Sequence, residues 1–161
     1  MTSPHWNQWL NDKLSNSAFD SLSALAVKFR AMQLFAHIGH NLVSGQNFKE
    51  DHEFLGELYE TYEGVYDSLV ERMIGLGTDP DLFEITNAAN DMLQNVLYID
   101  NASNDDWFSS LLDSEKSVCA IIQGAMRETF TDTTEATKNL LAQIADDSEQ
   151  RQYKMQQRID L

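Results

Sequence analysis

The chain has a single cysteine, Cys119, among its 161 residues. No disulfide framework can form within it. Cys119 lies in an apolar helical stretch, where a buried structural thiol is expected. Prolines number two and glycines seven. With few β-branched clusters besides, this shortage of breakers leans the chain toward an all-α fold. No run of about 18 apolar residues occurs, so no membrane span is expected. The opening Met1-Thr2-Ser3-Pro4-His5-Trp6 has neither a charged nor an apolar region and does not read as a signal peptide. A cytoplasmic protein is the expectation. Positive charge is scarce too: 11 basic residues face 26 acidic ones, for a net charge of −15. Phosphate backbones and anionic lipid repel such a chain. No Lys/Arg cluster occurs anywhere, so nucleic acid is not an expected partner. The same charge attracts cations, although it also serves solubility.

The 42% of apolar residues are spread at helical spacing along one domain of 161 residues, long enough for a sizeable core. After an N-terminal arm of residues 1–15, a first helix is expected over 16–43. Phe19, Leu22, Leu25, Ala26, Phe29, Met32, Leu34, Phe35 and Ile38 form its apolar set. Ser44-Gly45-Gln46 breaks it. Asn47 then reads as an N-cap, with Glu50 completing a capping box. The second helix, 48–76, carries the clearest seam: Phe48, His52, Leu55, Tyr59, Tyr62, Tyr66, Leu69, Met73 and Leu76. Gly75, Gly77 and Asp79-Pro80 end it. A polar segment over 81–104, with room for a short helix or two, leads to a third helix (105–128) and a fourth (133–158). Two long helices, a long connection and two more helices predict a four-helix bundle with one crossover.

Four residues carry the chemistry: His40, His52, Asp67 and Glu71. All are metal-ligand types. His40 and His52 flank the Gly45 turn, so antiparallel helices joined there bring the two rings near one another. Asp67 and Glu71 lie one helical turn apart, well away from the apolar seam at 100° per residue. Like charges at that spacing repel unless a cation sits between them. From His52 to Asp67 runs an unbroken helical pattern of fifteen residues, roughly 22 Å at about 1.5 Å each. One metal ion cannot span that distance, so the two pairs share a site only if two chains build it. His37, one turn before His40, suits a supporting role. The His5-Trp6-Asn7 triplet imitates a ligand motif, but nothing downstream matches its spacing.

Residues 40–72 resemble the signature of the Dps-type mini-ferritins: His-Trp-Asn-x-x-Gly-x-x-Phe-x-x-x-His, then an Asp fifteen residues on, then x-x-x-Glu-Arg. This chain reads His40-Asn41-Leu42-Val43-Ser44-Gly45-Gln46-Asn47-Phe48-Lys49-Glu50-Asp51-His52, then Asp67-Ser68-Leu69-Val70-Glu71-Arg72. Gly45, Phe48 and Arg72 match at positions without metal chemistry. The closing pattern of that family is similar to Thr137-Lys138-Asn139-Leu140-Leu141, Ile144, Glu149 and Tyr153. The resemblance spans about residues 18–160. It implies a single ferritin-like domain whose long crossover carries a short helix. It also implies that His40 and His52 of one chain meet Asp67 and Glu71 of a two-fold partner in a homo-oligomer, typically a dodecamer. The implied activity is that of a ferroxidase: non-haem iron, Fe(II), is oxidised by peroxide or O₂ and stored as Fe(III) in a hollow shell.

Several positions depart from that pattern. The Trp after the first His is Asn41. The further carboxylate four residues after the second His is Gly56, with Glu53 and Glu57 nearby but not at that position. The acid before the Leu-Leu pair, beside the iron-access pore, is Asn139, with Glu135 one turn earlier. The basic tail that some members use for DNA is absent. Two classes of function follow: a ferroxidase with one tight and one weak iron per site, or a ferritin-fold structural or interaction protein with weakened or no oxidation chemistry. A manganese- or zinc-loaded relative is a third option, since spacing does not choose the metal.

Overall fold

Apolar seams at helical spacing underlie the long helices of the structure, a computed structural model that describes residues 16–95, 103–128 and 133–160. The elements are α1 (Asn16–Leu42), α2 (Phe48–Gly75), a 3₁₀ turn (Pro80–Phe83), α3 (Ile85–Asn95), α4 (Asn104–Glu128) and α5 (Glu135–Ile159). No strand occurs among the described residues. The four long helices match the expected ranges to within two residues. The polar connection holds the 3₁₀ turn and the short α3. The N-terminal arm, including His5-Trp6-Asn7, lies outside the described residues.

The helices pair as two hairpins, α1 on α2 and α4 on α5, joined mainly through α1 against α4. The core between them contains Leu22, Leu25, Phe29, Met32 and Phe35 of α1, and Leu55, Leu58, Tyr62, Leu69 and Met73 of α2. Phe108, Leu111, Val118, Leu141, Ile144 and Met155 close it from α4 and α5. Aromatic contacts fix the interfaces: Phe29 on Tyr62 at 5.9 Å, Phe35 on Trp107 at 4.7 Å and Phe54 on Phe108 at 5.2 Å between ring centres. At Gly39 α1 presses close on α4, since a Cβ there would come within 2.9 Å of the Trp107 ring. That contact lies one residue before His40.

Local signals held unevenly. Gly77 ends α2 with a φ of 102°, and Thr78 N–H reaches back to the Met73 carbonyl, as a left-handed cap requires. Thr134 caps α5 by accepting from Thr137 N–H. The capping box expected at Asn47 does not form. Asn47 has φ −100° and ψ 20°, outside the extended region a cap needs, and its side chain makes no capping hydrogen bond. The turn closes through its backbone instead, with Phe48 N–H donating to the Gly45 carbonyl. Gly45 takes the positive φ, 87°, that this reversal demands. Two residues of the expected apolar sets face outward: Ile38 and Phe48. Cys119 is half-buried; its sulfur lies 3.2 Å from the Gln152 amide nitrogen.

Candidate metal centre

The α1–α2 reversal brings His40 and His52 together. Their rings stack with centres 3.6 Å apart and planes 25° apart. Nδ1 of each ring lies 2.7 Å from the backbone carbonyl oxygen of the other residue. A carbonyl oxygen can only accept, so both Nδ1 atoms carry hydrogen and donate. In the neutral imidazoles this leaves each Nε2 with its lone pair, the form a metal binds.

The reciprocal pair has a backbone cause. His40 falls in the last turn of α1, where carbonyls lack intrahelical partners. The amide of Ser44, which would have closed that turn, donates to the Asn104 side chain at 3.3 Å instead. The freed His40 carbonyl takes the His52 ring. In the other direction, Gly56 lies one turn beyond His52 and presents no side chain. A Cβ there would stand 3.3 Å from His40 Nδ1. The glycine at the position where the resemblance puts a carboxylate is therefore what lets the His40 ring lie flat against α2.

Further rings extend the stack. Phe48 lies against His52 at 5.1 Å, Tyr59 meets His40 edge-on at 5.4 Å, and His37 stacks on Tyr59 at 4.3 Å. His37, exposed, thus touches the pair through Tyr59 and also anchors Asn41, whose amide donates to its carbonyl at 3.1 Å.

Asp67 and Glu71 sit further along the uninterrupted α2, both exposed, with no ion pair or side-chain hydrogen bond among the described residues. Fifteen residues of helix hold Asp67 about 22 Å from His52 along the axis. Among the described residues, no group of three His, Cys, Asp or Glu side chains within this chain is placed to hold a metal ion. Within one chain, the His pair and the acidic pair therefore stay apart.

Two buried ion pairs were missed in the sequence. Asp51, fully buried, accepts from Arg158 Nε at 2.6 Å and Nη2 at 2.8 Å, and from the Asn104 amide at 2.9 Å. Arg158 also reaches Asp105 at 2.9 Å, which helps hold its pKa above the usual guanidinium value; the Asp51 hydrogen bonds are the main cause. Asn104 in turn donates to the Ser44 carbonyl at 2.8 Å. This clamp fastens the His-bearing turn to the start of α4 and the end of α5. Deeper in the bundle, fully buried Glu115 takes Arg151 Nε at 2.6 Å and Ser148 Oγ at 2.5 Å. A guanidinium seated on Glu115 repels a further cation, so the bundle interior offers iron no vacant carboxylate among these residues. A signal did exist. Asp51 lies four residues before Leu55, Glu115 four after Leu111, and Arg151 four before Met155. Charges on a buried stripe need partners.

Tyr62, fully buried beside this cluster, has a hydroxyl with no hydrogen-bond partner among the described residues. Burial pushes its pKa well above the ordinary value, and the adjacent negative Glu115 adds to the shift.

No helix among the described residues is long and apolar enough to cross a membrane. No curated protein matches this chain. The solved structure of a mutant of Mycobacterium smegmatis Dps1 is similar over 99% of both chains, with a TM-score of 0.71 and 16% identity. The model of the family described as "Ferritin-like domain" matches residues 23–161. The chain therefore belongs to the ferritin-like domain family and has the fold of a Dps-type mini-ferritin.

Proposed function

We propose that the protein is a cytoplasmic ferroxidase and iron-storage protein, acting at sites shared between two-fold related copies in a shell of twelve. The observation that carries this reading is the reciprocal His40–His52 pair, which holds two Nδ1 protons on carbonyls and leaves two Nε2 donors for metal. Borderline nitrogen donors with carboxylates are a donor set suited to Fe(II), and the carboxylates suit the Fe(III) product.

Iron is the substrate here. His40 and His52 of one copy bind it together with Asp67 and Glu71 of another. The stacked rings and the clamp at Asp51 keep the nitrogens in place. The paired carboxylates draw the cation in and offset the positive charge that oxidation adds. Two Fe(II) supply the two electrons that reduce one peroxide to two waters, with two protons taken up. Fe(III) then passes into the shell. With Gly56 in place of a carboxylate, one iron per site is held tightly and one weakly.

Gly56 is also the observation that favours the second reading, a shell that keeps the fold and loses the chemistry, because it deletes a ligand position. One experiment separates the two. Fe(II) is mixed rapidly with equimolar peroxide, with and without protein, and with the Asp67→Ala/Glu71→Ala variant. The ferroxidase reading expects fast oxidation by the wild type, loss of the fast phase in the variant and an unchanged elution volume. Wild-type oxidation no faster than buffer leaves only the structural shell. A species of about 220 kDa, twelve chains of 18.3 kDa, is expected on a sizing column. A stable monomer at micromolar concentration would contradict both the shell and the shared site.

A further inference from the structure

A cavity of about 430 Å³ opens between α1, α2, the 3₁₀ turn and α3, at some remove along the bundle from the His pair. Its size falls in the range of small-molecule sites, roughly 300–1,000 Å³. Phe19 and Val27 of α1 and Leu82 and Phe83 of the 3₁₀ turn give it apolar walls. Arg30 and Tyr66 supply its polar end, the guanidinium lying 4.0 Å from the centre of the Tyr66 ring. No Asp or Glu is among the described lining residues.

Arg30 is the unusual member. Acids outnumber bases 26 to 11 in this chain, yet Arg30 holds no carboxylate among the described residues. Arg151 and Arg158, by contrast, each engage one or more. A guanidinium has five N–H donors. Among the described residues those donors make one hydrogen bond, Nη1 to the Gln33 side-chain oxygen at 2.9 Å. The Tyr66 ring fixes the guanidinium plane from one side by cation–π attraction. A half-buried, oriented cation with spare donors at one end of a cavity with partly apolar walls matches a planar anion carried on an apolar body.

We infer that this cavity is a binding site for small amphiphilic monocarboxylates, with the carboxylate on Arg30 and the apolar body among Phe19, Val27, Leu82 and Phe83. The inference does not rest on the iron chemistry proposed above. The overall charge sharpens the inference. A chain at −15 repels anions and attracts ammonium ions, so any preference for carboxylate must come from the local guanidinium.

The test is calorimetric titration of the assembled protein at about 0.15 M salt, where the Debye length is about 8 Å and distant surface charge is screened. The probes are octanoate, octanol and octylammonium, below their micellar concentrations. Octanoate is expected to bind once per chain, at least tenfold more tightly than octanol, with octylammonium no tighter than octanol. Arg30→Gln should bring octanoate down to the octanol level, and Arg30→Lys should retain part of the preference. Ala88→Phe, which fills the cavity from α3, should weaken octanoate and octanol together. Equal binding of octylammonium, or a folded Arg30→Gln variant with undiminished octanoate affinity, would overturn the inference. So would undiminished octanoate binding by Ala88→Phe, or no heat from any probe, the result expected if a second copy covers this face in the shell. Should Arg30→Gln fail to fold, the headgroup series and Ala88→Phe still decide.

Discussion

Removing the Asp51 carboxylate tests whether a buried ion pair supports the His-bearing turn. Asp51 is fully buried and its partner Arg158 keeps 15% of its side-chain surface exposed. The substitution Asp51→Ala strips Arg158 of a two-pronged contact and frees the Asn104 amide that also holds the Ser44 carbonyl. Breaking a buried pair by deleting one partner costs roughly 3–5 kcal/mol, because the other charge stays behind uncompensated. Arg158 retains Asp105, but that side chain is 60% exposed and screens poorly as a replacement. The lower end, about 3 kcal/mol, is therefore expected. For a chain of this length that lowers Tm by roughly 6–12 °C. Thermal unfolding should be followed at one fixed protein concentration, since assembly shifts the apparent stability. A double-mutant cycle with Arg158→Met isolates the pair, and a coupling energy above about 1.5 kcal/mol is expected. A coupling below about 0.5 kcal/mol, or a Tm drop of less than about 2 °C for Asp51→Ala, would refute the clamp.

Gly56→Ala places a Cβ 3.3 Å from His40 Nδ1, so the ring must tilt away from the His52 carbonyl. Stability should change by under about 1 kcal/mol, helix propensity offsetting the crowding, while the histidine ring nitrogens shift in ¹⁵N NMR and Fe(II) oxidation slows; unchanged nitrogen shifts would contradict the close approach. Tyr62→Phe removes a buried hydroxyl that has no hydrogen-bond partner among the described residues, so stability at neutral pH should hold or rise by about 1 kcal/mol. Because burial raises the folded-state pKa of Tyr62, the unfolded chain loses its proton first as pH climbs, and wild-type stability should fall from about pH 10 upward. The Phe variant should lose that part of the slope, which pH-dependent denaturant titration measures. Duplex DNA in a mobility-shift assay at moderate salt should stay free, because the proposed shell of twelve chains at −15 would carry about −180 and repel phosphates. Retardation without divalent cation would refute this, whereas a shift appearing only with Mg²⁺ would indicate ion bridging.

Local chemistry made much of this protein readable in its sequence. Seams at helical spacing on α1 and α2 required long buried stripes, and glycine with Asp79-Pro80 marked where α2 stops. The hairpin follows from the break at Gly45, and with it the meeting of His40 and His52. An unbroken helix of fixed rise separates His52 from Asp67 whatever the rest of the fold does, so that distance too was fixed before any packing. Tertiary structure decided what depends on which residues become neighbours across elements. Asp51, Glu115 and Arg151 stand on apolar stripes in sequence, but only the approach of α2, α4 and α5 chooses their partners. The failed capping box at Asn47 has the same origin: the turn is held by Asn104, sixty residues away, so the local cap is not needed. Likewise, no spacing rule could show that each histidine ring donates to the other's carbonyl. That contact needs a freed helix-end carbonyl at His40 and a missing side chain at Gly56, and three-dimensional packing alone brings the two together.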